Sequence, residues 1–264
     1  MNTPHEDGGP APDAARTRTW VKVAWASMVL AAACALIELA AGPLYRWGWL
    51  SLGAGIQALR WAATAAAIVA GLALLGAALA WRARHRESIT FFLASVLTGV
   101  LAAAPPAYLW LQVQKLPHIH DISTDTANPP RFVAVLPLRQ GARNPADYNP
   151  AVADLQHQGY ADLMLLNLDL PAPQAFARAE KIGRAMGWEI VAAVPAELRI
   201  EATATSVLFG FKDDVVIRII PQGNGSRIDL RSLSRVGGSD FGSNANRIRK
   251  FVKRFRSDAD GDAR

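Results

Sequence analysis

Three long apolar runs crowd the first 114 residues of this 264-residue chain: about Trp20 to Ala41, Ile56 to Ala80 and Ile89 to Val113. A helix needs roughly 20 mostly apolar residues to cross the hydrocarbon core of a bilayer. In lipid such a run has little choice but to be helical, because every backbone polar group must find its partner inside the segment. The remainder of the chain is an ordinary polar and apolar mixture. The sequence therefore predicts a membrane part followed by a soluble part. Arg16, Arg18 and Lys22 before the first run resemble the charged start of a signal peptide. The length of that run and the two further runs favour an uncleaved anchor.

Lysines and arginines in short loops set orientation. Arg16, Arg18 and Lys22 precede the first run, and Arg82, Arg84 and Arg86 join the second to the third. An odd number of spans separates both clusters from the loop GPLYRWGWLSLG and from the C-terminal half. Both clusters should face the cytoplasm. Tyr45, Trp47, Trp49, Tyr108 and Trp110 suit the outer interface. The expected layout is a cytoplasmic tail (1–19), a three-helix anchor (20–114), a juxtamembrane linker (115–131), a soluble domain (132–256) and a disordered tail (257–264). In a bacterium this is an inner-membrane protein with its N-terminus cytoplasmic and its C-terminal domain periplasmic.

Glu38 and Arg60 lie at matching depths in the first two runs, counted at 1.5 Å per residue. A charge inside a membrane needs a partner or water, so the expectation is an intramembrane Glu38–Arg60 pair. Pro105 and Pro106 should kink the third helix or end it early. The abundant Ala and Gly permit close helix packing.

Residues 115–264 carry 20 Lys and Arg against 17 Asp and Glu, too small a basic excess for a nucleic-acid binder. The single cysteine, Cys34, lies in the first apolar run, which leaves the soluble part no thiol nucleophile and no thiolate ligand. His118, His120 and Asp121 could suggest a metal site, since two histidines two apart can ligate from an extended chain, but zinc usually needs three or four protein ligands and no obvious partner lies nearby. No metal and no cofactor is expected.

The soluble part reads as α+β. Phe132 to Leu136 suggests a short strand, and 149–158 a short helix or turn. PAPQAFARAEKIGRAMGW predicts a helix from near Pro173 that stops at Gly187. WEIVAAV, ELRIEATATS, SVLFGF, DVVIRII and SRIDLRSL follow as strands joined by short turns, PQGNG among them. A final helix runs from about Ser243 to Phe255, burying Ile248, Phe251, Val252 and Phe255. The expected fold is three transmembrane helices, then an antiparallel sheet of four or five strands with helices on one face. Arg247, Arg249, Lys250, Lys253, Arg254 and Arg256 on the last helix form either a solvated face or a contact for anionic lipid headgroups.

Strand alternation puts Glu201, Arg218, Asp229 and Arg231 on one polar sheet face, with Asp213, Asp214, Arg235 and Asp240 at its edge. SRVGGSDFGSNANRIRKF (234–251) then offers two readings. In one, Arg231, Arg235, Gly238, Ser239, Asp240, Asn244 and Arg247 form an anion site, with glycine amides, a helix N-terminus and bidentate arginines. In the other, Asp240 or Ser243 caps the last helix and the arginines pair with Asp229, Asp240 or Glu201. Asp213 and Asp214 are neighbours on a strand and so point to opposite faces, which spoils a shared acid–base role. His157 has no visible Ser or Cys partner.

HDISTDTANPPRF, Gly187-Trp188-Glu189, IEAT (200–203), FKDDVVIRI (211–219) and DLRSLSRVGGSDFGSNANRIRKF (229–251) resemble the domain of unknown function 1499 family. The resemblance covers nearly all of 118–255, with one small departure at Leu233, where a smaller residue is expected. It implies the domain boundary and a multi-span anchor, and brings no established activity. The functional expectation is a non-catalytic binding or scaffolding domain in the cell envelope. Its candidate partners are the membrane, an anionic lipid or small anion, and another envelope protein. The alternative is an envelope hydrolase using Asp213, Asp214, Asp240 or His157.

Overall fold

A computed structural model describes residues 12–262, which divide after Gln112 into two compact units. The first unit holds α1 (Pro12–Arg46) and α2 (Leu52–Arg82) with nearly all of α3 (Arg86–Val113). All three helices are long and apolar enough to cross a membrane. Ser51 caps α2 by accepting the Ala54 amide at 3.2 Å. Small residues bring α2 and α3 together: a Cβ at Gly99 would fall 2.7 Å from the Ala66 carbonyl oxygen.

Of the two outcomes expected at Pro105 and Pro106, an early end does not occur: the third helix runs through both to Val113. Glu38 and Arg60 do not pair. Glu38 Oε1 is buried without a hydrogen-bond partner. Arg60 instead lays its guanidinium 5.2 Å from the centre of the Trp110 ring, so an aromatic face of α3 takes the cation.

The second unit is α+β. Six strands form one antiparallel sheet: β1 (Asp121–Ser123), β2 (Leu166–Leu168), β3 (Glu189–Val194), β4 (Arg199–Thr205), β5 (Lys212–Gln222) and β6 (Gly225–Ser234). The order is β1-β6-β5-β4-β3, with β2 beside β1 on the same edge of β6. The turn around Gly223 joins β5 to β6 in the expected hairpin. Short α4 (Ala153–Gly159), then α5 (Ala172–Ala185) and α6 (Ser243–Asp262), complete the unit.

One sheet face is apolar. Ile200, Ala202, Val215, Ile217, Ile228 and Leu230 meet Phe176 and Ile182 of α5 and Ile248, Phe251 and Phe255 of α6 in the main core. Trp188, just past Gly187 at the end of α5, stacks on Phe251 at 5.7 Å. The opposite face carries the predicted polar row. A long irregular segment, 124–149, covers it, so β6 is buried on both faces from Ile228 to Ser234.

Four local expectations need correction. Phe132–Leu136 is not a strand; it leads into a 3-10 helix at Leu136–Arg139. SVLFGF is not a strand either. It is the β4–β5 turn, closed by hydrogen bonds from Ser206 N–H to the Phe211 carbonyl and from Gly210 N–H to the Ser206 carbonyl. The stretch 115–131 is not purely a linker, because Asp121–Ser123 pairs with Arg231–Leu233. The last helix continues past Phe255 to Asp262.

Candidate functional site

β-strand alternation delivers the polar side chains to two sides of the sheet. On the covered face, Arg231 donates through Nε and Nη2 to both carboxylate oxygens of Asp121 at 2.9 and 2.7 Å. Its remaining donors reach the Pro130 and Ala146 carbonyls. Its guanidinium lies 4.9 Å from the Phe132 ring centre and 5.4 Å from that of Tyr148. Burial, reinforced by the Asp121 charge, pushes the Tyr148 phenol up to about 12.

Asp214 is the hub of the same face. It accepts from Arg235 Nε at 2.9 Å and Nη2 at 2.8 Å, from Thr203 Oγ1 at 2.8 Å, and from Arg139. Arg235 spends Nη1 on the Leu138 carbonyl at 2.7 Å. Glu201 accepts the consecutive amides of Val133, Ala134 and Val135, each at 3.0 Å, and pairs with Arg199. A carboxylate captured by adjacent N–H groups resembles an anion in a backbone nest. Arg218 and Arg227 share Asp229 and Asp125. The expected face of Glu201, Arg218, Asp229 and Arg231 is therefore present, with Asp214 inside it rather than at its edge.

On the helix side, Arg247 donates to Asp213 Oδ2 at 2.6 Å and to Ser232 Oγ at 2.8 Å, and also reaches Asn244. Asn244 ties the first turn of α6 to β6 and β1 through Ser232, Ser234 and the His120 carbonyl. Asp240 caps α6: its carboxylate accepts the Gly242 and Asn244 amides at 3.0 and 2.6 Å. Burial raises the Asp240 carboxyl above its ordinary value, against those two hydrogen bonds. Gly237 and Gly242 have φ of 93° and 78°, the left-handed region open to glycine, which the turn into α6 requires. Ser239 Oγ accepts the Phe241 amide at 3.2 Å, while Gly238 is exposed beside His118.

The two aspartates therefore separate as the alternation demands: Asp213 serves the helix layer and Asp214 the covered face. His157 lies apart from both, its Nε2 3.0 Å from Thr126 Oγ1. Among the described residues, no group of three or more His, Cys, Asp and Glu is placed to hold a metal ion. Sequence reasoning missed Asp121 and Arg139 as partners, and also Asn144, whose side-chain amide donates to the Ser234 and Gly237 carbonyls at 2.9 Å each. The one available signal was charge on both faces of a central strand, which requires a cover on each.

Residues 121–255 match the family described as protein of unknown function, DUF1499. The chain belongs to this family. Comparison with curated proteins gives no match. The DUF1499 match starts at the first residue of β1 and ends at Phe255, the last large core residue of α6. It thus takes in the sheet, its helices and the covering segment as one domain.

Proposed function

We propose that this DUF1499 protein is an inner-membrane protein presenting a non-catalytic binding or scaffolding domain on the periplasmic side. One observation carries the reading of the domain: the donors of Arg231 and Arg235 are met inside it, by Asp121, Asp214, Thr203 and backbone carbonyls. An arginine fork recognises a free anion by leaving two parallel donors open. Here an incoming anion would have to displace a buried carboxylate. The motif around Arg231, Arg235, Gly238, Ser239, Asp240, Asn244 and Arg247 thus works as a fastener joining β1, β6, α6 and the covering segment. The same engagement weighs against a hydrolase on Asp213 or Asp214, each held by arginine. Anionic groups are better served by the exposed Lys250, Lys253 and Arg256 on the outer side of α6. Orientation rests on the basic clusters at 16–22 and 82–86.

The test is a pair of measurements in cells. A cysteine at Asn224, on the exposed β5–β6 turn, should react with a membrane-impermeant thiol reagent in intact spheroplasts. Reaction only after lysis would overturn the orientation. His157→Ala and Asp240→Asn, checked for retained fold, should rescue the envelope phenotype of a deletion as well as the parent chain does. Loss of rescue by a folded variant would favour the hydrolase.

A further inference from the structure

Residues 162–166, which lead into β2, and the middle of α6 leave a groove of about 360 Å³ between them. That lies at the small end of ligand clefts, which run to about 300–1,000 Å³. On the helix side, Arg249, Val252, Lys253 and Arg256 follow one another at steps of three and four residues, so they share one side of α6. From Arg249 to Arg256 this stripe is about 10 Å long at 1.5 Å per residue.

The two ends of the groove differ in charge. At one end, Arg249 donates to both carboxylate oxygens of Asp162 at 2.6 and 2.7 Å, with its guanidinium 5.3 Å from the centre of the Tyr160 ring. That arginine is already committed. One and two turns further along α6, Lys253 and Arg256 are exposed, and neither side chain has an ion pair or hydrogen bond among the described residues. Between the ends the walls are apolar and open. Val252 is half-buried, Leu165 is 37% exposed and Met164 is 71% exposed. Methionine is unbranched and adapts to irregular partners, which suits it to surfaces that accept varied chains. An apolar strip rimmed by polar groups marks an interaction site.

We infer that this groove takes a single-chain anionic amphiphile, its hydrocarbon chain laid against Met164, Leu165 and Val252 and its charged head held by Lys253 and Arg256. Charge complementarity selects this occupant. The groove has two cations without partners at one end only, and a charged head on an apolar tail has the same asymmetry. The inference deepens the reading of a non-catalytic binding domain by naming a ligand class, and it rests on that reading.

The experiment uses the full chain in nanodiscs of zwitterionic phospholipid, with carbon-13 on the methionine methyls. The chain has four methionines, so the spectrum is sparse, and Met164→Leu assigns the reporter. The probes are octyl phosphate, octyl glucoside and inorganic phosphate. Octyl phosphate should shift the Met164 methyl saturably, while Met186, packed on the core, stays in place. Octyl glucoside should need about tenfold more. Lys253→Glu with Arg256→Glu should weaken octyl phosphate by about the same factor and leave Met186 unmoved. Inorganic phosphate alone should not shift Met164. A Met164 signal that ignores octyl phosphate overturns the proposal. So does a response no stronger than that to octyl glucoside or to inorganic phosphate, or one that survives the charge reversal. The underlying reading fails separately: release of inorganic phosphate from octyl phosphate, followed by phosphorus NMR in the same sample, would overturn the non-catalytic reading, while a saturable Met164 shift would still support the groove.

Discussion

The two faces of the one sheet are buried by different physics. On the helix side, Ile217, Ile228 and Leu230 meet Phe251 and Phe255, and the contact is non-directional. On the covered side, Arg231, Asp214 and Glu201 hold a segment with little regular structure, through donors aimed at single oxygens. A small apolar cluster of Phe132, Val135, Val216 and Leu233 supports them there. Apolar packing rewards volume and forgives a change of shape. A buried ion pair gives little net stability over an apolar replacement, yet punishes the loss of one partner. The helix face thus supplies cohesion, and the covered face decides where one irregular segment must lie.

The sharpest way to break this comparison is Arg231→Ala. It leaves Asp121 buried and unpaired, and should cost about 3–5 kcal/mol. Replacing both partners, Asp121→Leu with Arg231→Met, should recover most of that loss. Chemical denaturation of the purified chain, followed by loss of sheet circular dichroism, measures both. Equal damage from single and double variants would remove the distinction between the faces.

Conservative changes sharpen it next. Phe251→Leu on the helix side should cost under about 1.5 kcal/mol because the volume nearly survives. Arg231→Lys should cost more, since an ammonium cannot reproduce a fork clamped between two rings and held by both oxygens of Asp121. The same denaturation curves rank the two.

A smaller effect belongs to the entry into α6. Asp240→Ala removes its cap and should cost about 1 kcal/mol, seen as faster amide exchange at Gly242 and Asn244. Smallest is the exposed Arg249–Asp162 pair, where Arg249→Ala should cost about 0.5 kcal/mol or less.

The two aspartates also titrate in opposite senses. The hydrogen bond from Arg249 is the largest influence on Asp162 and sets it below its ordinary 3.8. The stability from that pair is present above 3.8 and is lost as pH falls through the lower folded value. Burial sets Asp240 above 3.8. Its contribution is complete below 3.8 and fades as pH rises through the higher folded value. Carboxyl carbon NMR should show Asp240 protonating first on acidification; the reverse order would refute the burial argument.

Much of the fold was legible because local signals agreed. β4 and the first half of β6 alternate polar and apolar residues, β5 is rich in Val and Ile, and α5 and α6 show helical spacing with a glycine stop or a capped start. Errors came where a short apolar stretch has more than one outcome. SVLFGF has strand composition, yet Ser206 and Gly210 fold it into a turn. Phe132–Leu136 looks equally strand-like, but Glu201 claims three of its amides. β1 and β2, with three residues each, are too short for a periodic signal. The polar residues of the candidate site were mostly identified, but their partners were not. Asp121 and Arg231 are 110 residues apart, and nothing local specifies which carboxylate an arginine will meet.

That separation has a bearing on biosynthesis. β1 is the first strand to follow the three long apolar helices, and it pairs with β6, the last strand made. At about 5–20 residues per second, Asp121 waits roughly five to twenty seconds before Arg231 exists. Throughout that interval the entrance strand is a sheet edge without a ladder, the condition under which strands recruit the wrong neighbour. β1 carries a buried charge and ends after three residues, features that make a poor template for a stranger and a sufficient one for β6.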